Sequence, residues 1–89
     1  MAISLILFKS KSCSLCGQVE SIHKSIVGLY CGKIKSEIID ITDNSQKAVD
    51  NGVMNIPTII FFNDDKEIMR FSGSISKEKI EQAIKKWII

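Results

Sequence analysis

Apolar residues in the first half of the chain predict a strand, a helix and a second strand. Residues 3–8 form a nearly continuous apolar run, which is typical of a central strand covered on both faces. Apolar residues then recur at spacings of three and four, which predicts a helix over residues 17–30 with Gly32 as its stop. Residues 37–41 form a second β-type run, so the order favours a right-handed βαβ unit with parallel strands. The apolar face of the helix comprises Leu15, Val19, Ile22, Ile26 and Leu29.

The pattern in the second half predicts a short helix followed by a hairpin. Asp43 is expected to cap the helix, and Gly52 to terminate it. Residues 59–62 and 67–71 are two β-type runs separated by a polar turn, as in a β-hairpin.

The C-terminal residues predict an amphipathic helix that covers a sheet. Ser76 is expected to cap it, and its apolar positions follow helical spacing: Ile80, Ala83, Ile84, Trp87 and Ile88. Eighty-nine residues leave no room for a second domain. We therefore predict that residues 1–89 form one α/β domain, with a four-stranded mixed sheet flanked by three helices.

Two cysteines stand where the first strand meets the first helix. Cys13 and Cys16 are three residues apart, so they lie about one helical turn from each other. The macrodipole and the unpaired N–H groups of a helix N-terminus favour an anion, which should lower the pKa of the first thiol from about 8.5 towards neutrality. This spacing and position indicate dithiol redox chemistry or metal binding.

Charge and composition narrow the possible binding partners and the cellular location. Twelve basic and ten acidic residues are spread along the chain and leave a net charge of +2, which argues against nucleic-acid or membrane-surface binding. The first apolar run is too short to span a bilayer, and no basic residue precedes it as in a secretory signal. We expect a cytoplasmic protein. Three cysteines also do not form the even, multi-bridge framework of a secreted mini-domain.

A zinc site is the metal alternative to redox chemistry. Cys13, Cys16, His23 and Cys31 have the ligand types of a Cys3His site. However, on one continuous helix His23 lies roughly 10 Å beyond Cys16, and Cys31 about 22 Å beyond it, so these ligands cannot converge. We predict no metal site, with His23 on the helix surface and Cys31 as an inert thiol at the helix end.

The motifs together resemble the thioredoxin superfamily. A βαβ unit carries the CxxC pair at its first strand-helix junction, Ile56-Pro57-Thr58 precedes the next strand, and Gly73 follows the hairpin before the final helix. The resemblance covers almost the whole chain and implies a minimal thioredoxin fold. It also implies a thiol-disulfide oxidoreductase that reduces protein disulfides without a metal, flavin or nucleotide of its own.

The resemblance implies a role for each matching residue. Cys13 would be the nucleophile and Cys16 the resolving thiol. Pro57 would follow a cis peptide bond facing the cysteines, and Ile56, Pro57 and Gly73 would line the substrate groove. The expected partners are disulfide-containing proteins and a thioredoxin-reductase-type flavoprotein, with the protein itself acting as a monomer.

Departures from the family pattern keep two alternatives open. Leu7 stands where thioredoxins usually carry a buried carboxylate, and Ile38 stands near the position of its partner lysine. The element count is that of a glutaredoxin, yet Ser72-Gly73-Ser74 does not reproduce the glycine pair and acidic residue with which glutaredoxins hold glutathione. The alternatives are a glutathione-dependent, glutaredoxin-like reductase and a non-catalytic adaptor with a thioredoxin fold.

Three side chains near the expected site have two interpretations each. Lys9 and Lys11 either stabilise a thiolate or are solvated loop charges, and we favour the second interpretation. Met54 either contacts substrates or fills a gap in the core.

Overall fold

A computed structural model of the chain describes residues 3–30 and 32–88. The elements, in chain order, are β1 (Ile3–Lys9), α1 (Cys16–Leu29), β2 (Ile34–Asp40), α2 (Ser45–Asp50), β3 (Thr58–Asn63), β4 (Lys66–Ser72) and α3 (Lys77–Ile88). The predicted α/β fold, a four-stranded mixed sheet with three helices, is confirmed. The predictions for Cys31 and for the side chain of Ile88 fall outside the described residues.

The sheet places the apolar N-terminal strand at its centre. The strand order is β2-β1-β3-β4, and β1 runs parallel to β2 and antiparallel to β3. Near the carboxyl end of β1, Phe8 pairs with Ile39 on one side and with Thr58 on the other. Thr58 also pairs with Ser72 at the end of β4. Three segments therefore lie at the same end of the sheet: the two that follow β1 and β4, and the one that precedes β3.

The alternation of β1 builds a core on each face of the sheet. Ile3, Leu5 and Leu7 point towards α1 and α3 and pack with Ile26 and Ile84 in the larger cluster. The other face of β1, which carries Ile6 and Phe8, packs in a second cluster under α2. That cluster contains Phe8, Ile39, Ala48 and Ile60. Burial on both faces explains why β1 is nearly all apolar.

The helix α1 buries a histidine that the sequence pattern predicts on its surface. The buried residues of α1 are Cys16, Val19, His23 and Ile26. The Nε2 atom of His23 lies 2.8 Å from the Ser36 hydroxyl on β2, whereas Nδ1 has no hydrogen-bond partner in the described structure. Burial lowers the pKa of His23 to about 4. The surface prediction for His23 is therefore wrong, and the imidazole is neutral at physiological pH.

Two element boundaries differ from the prediction. β2 begins at Ile34 rather than at residue 37, because an edge strand tolerates the polar residues that follow Ile34 as long as its backbone pairs with β1. The cap of α2 is Asn44 rather than Asp43, since the Asn44 side chain accepts a hydrogen bond from the Lys47 N–H.

Candidate active site

The cysteine pair lies on the loop between β1 and α1, residues 10–15, and on the first residue of the helix. The Cys13 N–H donates to the Ser10 carbonyl at 3.3 Å, and the Cys16 N–H donates to the Cys13 carbonyl at 3.4 Å, so the segment turns tightly into α1. A disulfide joins Cys13 to Cys16, whose Cα atoms are 5.4 Å apart. The two cysteines are thus brought together as a redox pair requires.

The two cysteines differ in exposure. Cys16 begins α1 and is only 3% exposed, whereas Cys13 lies before the helix and is half-buried. Leu15, the residue before the helix, makes no side-chain cap hydrogen bond in the described structure. The helix N-terminus therefore offers its dipole and its first N–H groups to an anion on the cysteine loop.

The proline loop, residues 53–57, ends beside the last residues of β4. The Ile56–Pro57 peptide bond is cis, as the family resemblance implied. The Gly73 N–H donates to the Pro57 carbonyl at 2.9 Å, and Gly73 has a φ of 74°, a conformation that favours glycine. The Thr58 hydroxyl donates to the Asn55 carbonyl at 2.6 Å and lies 3.0 Å from the Ser72 hydroxyl. These bonds hold the proline loop and the Gly73 loop together.

The strand register brings the predicted site residues to one edge of the sheet. Cys13 lies four residues beyond the end of β1, Pro57 immediately precedes β3, and Gly73 immediately follows β4. Ile56 is half-buried beside Pro57. Met54, nearby, is 92% exposed and therefore fills no gap in the core.

Charged residues flank the cysteine loop. The Lys9 ammonium lies 2.8 Å from Glu20 Oε1, and the Lys24 ammonium lies 3.0 Å from Glu20 Oε2. Hydrogen bonds from Lys9 and then Lys24 lower the pKa of the Glu20 carboxyl, and the same bond from Lys9 raises the pKa of Lys9. Lys9 is the last residue of β1 and is ion-paired, so describing it as a solvated loop charge was wrong. Lys11 is more exposed and lies 3.5 Å from Asp43.

The position at which the resemblance leads one to expect a carboxylate is apolar. Leu7 is fully buried and pairs with Ile38 on β2 and with Ile59 on β3. The residue that stands in place of the family carboxylate thus lies in the core, beside the residue that stands in place of its lysine.

The contacts of Arg70 and of Glu20 were not predicted from the sequence. Arg70, on β4, donates to the Asn51 carbonyl at 2.7 Å and to the Gly52 carbonyl at 3.2 Å, at the start of the segment that leads to the proline loop. Its partners are 18 and 19 residues away, and no local pattern indicates such a contact. Glu20 was more accessible to sequence reasoning, because it follows Cys16 by four residues and precedes Lys24 by four.

Two further findings concern metals and membranes. Among residues 3–30 and 32–88, no group of three or more His, Cys, Asp or Glu side chains is arranged to hold a metal ion. Within the same residues, none of the helices has the length and apolar character needed to span a bilayer.

The fold and the cysteine pair define a thiol-disulfide oxidoreductase, a protein that reduces disulfides through a CxxC dithiol. More specifically, the chain belongs to the thioredoxin family, because the family model described as Thioredoxin matches residues 2–86. Thioredoxins in general act on disulfide substrates and are reduced by thioredoxin reductase.

Individual relatives agree with this assignment. A thioredoxin of Methanocaldococcus jannaschii is 30% identical over 84 residues, which cover 94% of each chain. A thioredoxin of Staphylococcus saprophyticus is 29% identical over 94% of this chain and 81% of its own length. The fold matches the solved structure of a malarial protein with a TM-score of 0.90 and 21% identity over the whole of both chains. It also matches Deadhead, a germline-specific thioredoxin of Drosophila melanogaster, with a TM-score of 0.86 and 22% identity over 98% of this chain and 82% of that one.

Proposed function

We propose that Cys13 is the attacking thiolate of the reductase and Cys16 the resolving thiol. The observation that best supports these roles is their difference in exposure: Cys13 is half-buried at the loop, whereas Cys16 is 3% exposed at the start of α1. A disulfide of another protein approaches the more exposed sulfur first, and the buried thiol is protected from a second external disulfide.

The proposed reaction has two exchange steps. The Cys13 thiolate attacks one sulfur of the substrate disulfide, so that a mixed disulfide forms and the other substrate sulfur leaves as a thiolate that takes up a proton. The Cys16 thiol then loses its proton and attacks the Cys13 sulfur, which forms the Cys13–Cys16 disulfide and releases the second substrate thiolate. Two electrons pass to the substrate, and the protein is oxidised.

Trapping of the mixed disulfide tests these roles. Cys16→Ser is expected to accumulate mixed disulfides with partner proteins, because the second step is lost, whereas Cys13→Ser is expected to accumulate none. Mass spectrometry under non-reducing conditions detects the adducts, and Cys31→Ser serves as the matched control that should behave like the unmodified protein. Trapping by Cys13→Ser alone would reverse the assignment.

We also propose that Ile56, Pro57 and Gly73 line the groove that receives the substrate. Pro57 has no N–H to donate, and the neighbouring backbone at Ile56 would pair with an extended segment that carries the disulfide. The hydrogen bond between the Gly73 N–H and the Pro57 carbonyl supports one continuous groove wall. Met54 would extend this wall with an exposed, adaptable side chain.

For the electron source, we propose a thioredoxin-reductase-type flavoprotein rather than glutathione. The end of β4 and the residues after it read Ser72-Gly73-Ser74, which lack the glycine pair and the acidic residue with which glutaredoxins hold glutathione. The test follows NADPH oxidation coupled to insulin or DTNB reduction, once with thioredoxin reductase and once with glutathione and its reductase. Turnover with glutathione alone would favour the glutaredoxin-like alternative.

We further propose that residues 1–89 act as a single cytoplasmic domain and as a monomer. The near-equal length of the archaeal relative, which is matched over 94% of each chain, supports the single domain. Light scattering coupled to gel filtration measures the mass, and cell fractionation measures the location.

A further inference from the structure

An ion pair joins the end of β1 to α1. Lys9 ends β1 and Glu20 lies about one turn into α1, so the pair encloses residues 10–19, which include the cysteine loop, and its two charged atoms are 2.8 Å apart. The side chains are 29% and 24% exposed, and Lys9 is less exposed than the other lysines that form ion pairs in the described structure. This pair is therefore partly shielded from solvent.

Glu20 lies near Cys16 on α1, and Lys9 is held against Glu20. Glu20 follows Cys16 by four residues on a continuous helix, so the two side chains share one face of α1, about 6 Å apart. This distance is shorter than the Debye length of about 8 Å at physiological salt. Because Cys16 is 3% exposed, water screens these charges less than it would at the surface.

The other charges around Lys9 come from β2, from α1 and from the loops that follow β1 and β2. Asp40 on β2 is the register partner of Lys9, and Lys24 binds the second oxygen of Glu20. Lys11 forms a more exposed pair with Asp43, and its charge also acts on Asp40. Lys9 is thus the cation that faces both the Glu20 and Asp40 carboxylates at the base of the cysteine loop.

We propose that Lys9 and Glu20 act as opposing electrostatic determinants of the Cys13–Cys16 redox equilibrium. This inference rests on the dithiol function proposed above. Reduction adds two electrons and two protons to the disulfide and produces two thiols, whose ionisation creates negative charge. The Lys9 cation stabilises that charge and so favours the reduced protein, while the Glu20 carboxylate opposes it. Neither side chain takes part in the exchange, since both act on the cysteines through charge.

The proposal predicts opposite effects from the two halves of one ion pair. Lys9→Met removes the less exposed of the two cations that bind Glu20, along with the Lys9 charge that acts on Asp40. The pKa of the cysteine thiols therefore rises, and the disulfide becomes harder to reduce. Glu20→Gln leaves Lys9 unopposed on that side, so the thiol pKa falls and the disulfide becomes easier to reduce. If the pair were only a mechanical fastening of the loop, both substitutions would break the same contact and change the equilibrium in the same direction.

The experiment equilibrates the full chain with mixtures of reduced and oxidised dithiothreitol at neutral pH. The fraction of reduced protein is measured by alkylation and mass spectrometry, and the thiolate is titrated by its ultraviolet absorbance. We expect the equilibrium constant to change about three- to tenfold, downward for reduction in Lys9→Met and upward in Glu20→Gln. The shifts should shrink at high salt.

Two lysine controls make the result specific. Lys24→Met removes a cation from the same carboxylate at a more exposed position, so its shift should have the sign of Lys9→Met but a smaller size. Lys47→Met disrupts the exposed Lys47–Glu37 pair, which is 3.2 Å long and involves the opposite side of the sheet, and should leave the equilibrium unchanged. Thermal unfolding verifies the fold of each variant, and Lys9→Gln replaces Lys9→Met if the latter does not fold.

The outcomes separate this inference from the function on which it rests. Equal equilibria, or shifts of the same sign, in Lys9→Met and Glu20→Gln would overturn the inference while mixed-disulfide trapping by Cys16→Ser still supports the reductase. If neither cysteine variant trapped a partner, the proposed roles of the cysteines would instead be contradicted.

Discussion

The His23 Nε2 atom lies 2.8 Å from the Ser36 hydroxyl oxygen and connects α1 to the edge strand β2. The other ring nitrogen, Nδ1, is buried and has no hydrogen-bond partner in the described structure. A proton on both nitrogens would therefore place a charge in the core beside a single polar contact. Burial of the ring disfavours that charge, which explains why the pKa of His23 is lowered to about 4.

The first prediction is that His23 makes the protein less stable in mild acid. In the unfolded chain the imidazole takes up a proton near its ordinary pKa of about 6.5, whereas in the folded protein it resists protonation down to about 4. The stability present above pH 6.5 is thus lost as the pH falls towards 4, by about 3 kcal/mol in total. Urea unfolding at several pH values between these limits measures the slope.

His23→Leu provides the comparison for this prediction. It should remove the contribution of His23 to the slope, while the exposed Ser36 hydroxyl turns to water. Identical slopes in the two proteins would show that carboxylates, and not His23, control the acid sensitivity.

A second prediction concerns the apolar position of Leu7. An aspartate in this fully buried position would have a raised pKa, because burial penalises its charged form. Leu7→Asp should therefore lose stability as the pH rises from about 4 through that raised pKa, and the pH profile of disulfide reduction should change near the same value. Unfolding and turnover measured across pH test both statements.

Leu7→Asn is the matched control, since it is equally polar but does not titrate. The two variants should be similarly destabilised in acid and diverge as the introduced carboxyl group ionises. If folded Leu7→Asp and Leu7→Asn reduced disulfides with the same pH profile, a role in turnover for a carboxylate at this position would be excluded.

Spacing predicted the elements well, because burial of strands and helices follows strict periods. β1 is apolar on both faces and could hardly be placed anywhere but the centre of the sheet. The cysteine motif was equally informative, since a thiol pair at a strand-helix junction needs only local sequence to be recognised. What local sequence could not show is which of two adjacent helix faces is buried.

His23 illustrates that limit. The buried residues of α1 are Cys16, Val19, His23 and Ile26, a spacing of three, four and three. The predicted stripe correctly contained Val19 and Ile26. Its other members were Leu15, Ile22 and Leu29, of which Leu15 and Leu29 are exposed and Ile22 is half-buried. A search for apolar periodicity selects apolar neighbours over a polar residue, so the predicted buried face of α1 was slightly rotated from the observed one. The hydroxyl of Ser36, on another element, provides a hydrogen-bond partner for one nitrogen of the buried imidazole.

A third prediction assigns Arg70 a positioning role for the substrate groove. Its guanidinium holds the Asn51 and Gly52 carbonyls, at the start of the segment that ends in Pro57. Arg70→Met should raise the KM for insulin about three- to tenfold by loosening this segment, with the kcat and the reduction of the small disulfide DTNB nearly unchanged.

Glu67→Gln separates this role from the ion pair that Arg70 also forms. Glu67 accepts hydrogen bonds from Arg70 at 2.8 and 2.9 Å, and its amide counterpart leaves the two backbone contacts available. We expect Glu67→Gln to keep the KM for insulin. A parallel loss of insulin and DTNB activity in Arg70→Met would indicate general damage to the fold rather than loss of groove geometry.

The last prediction uses two glycines to test whether the Gly73 loop contacts substrates. Gly73 and Gly32 have φ values of 74° and 81°, and a Cβ at either position would meet no other atom within 4 Å. Gly73→Ala and Gly32→Ala should therefore be destabilised by similar amounts, about 1 kcal/mol each, through backbone strain alone.

The two glycines differ in location. Gly32 precedes β2 at the opposite end of the sheet, whereas Gly73 follows β4 beside Pro57. If Gly73 lines the proposed groove, a methyl group at position 73 hinders the substrate. Only Gly73→Ala should then raise the KM for insulin, with DTNB reduction retained in both variants. Equal KM values for the two variants would remove Gly73 from the substrate-binding residues.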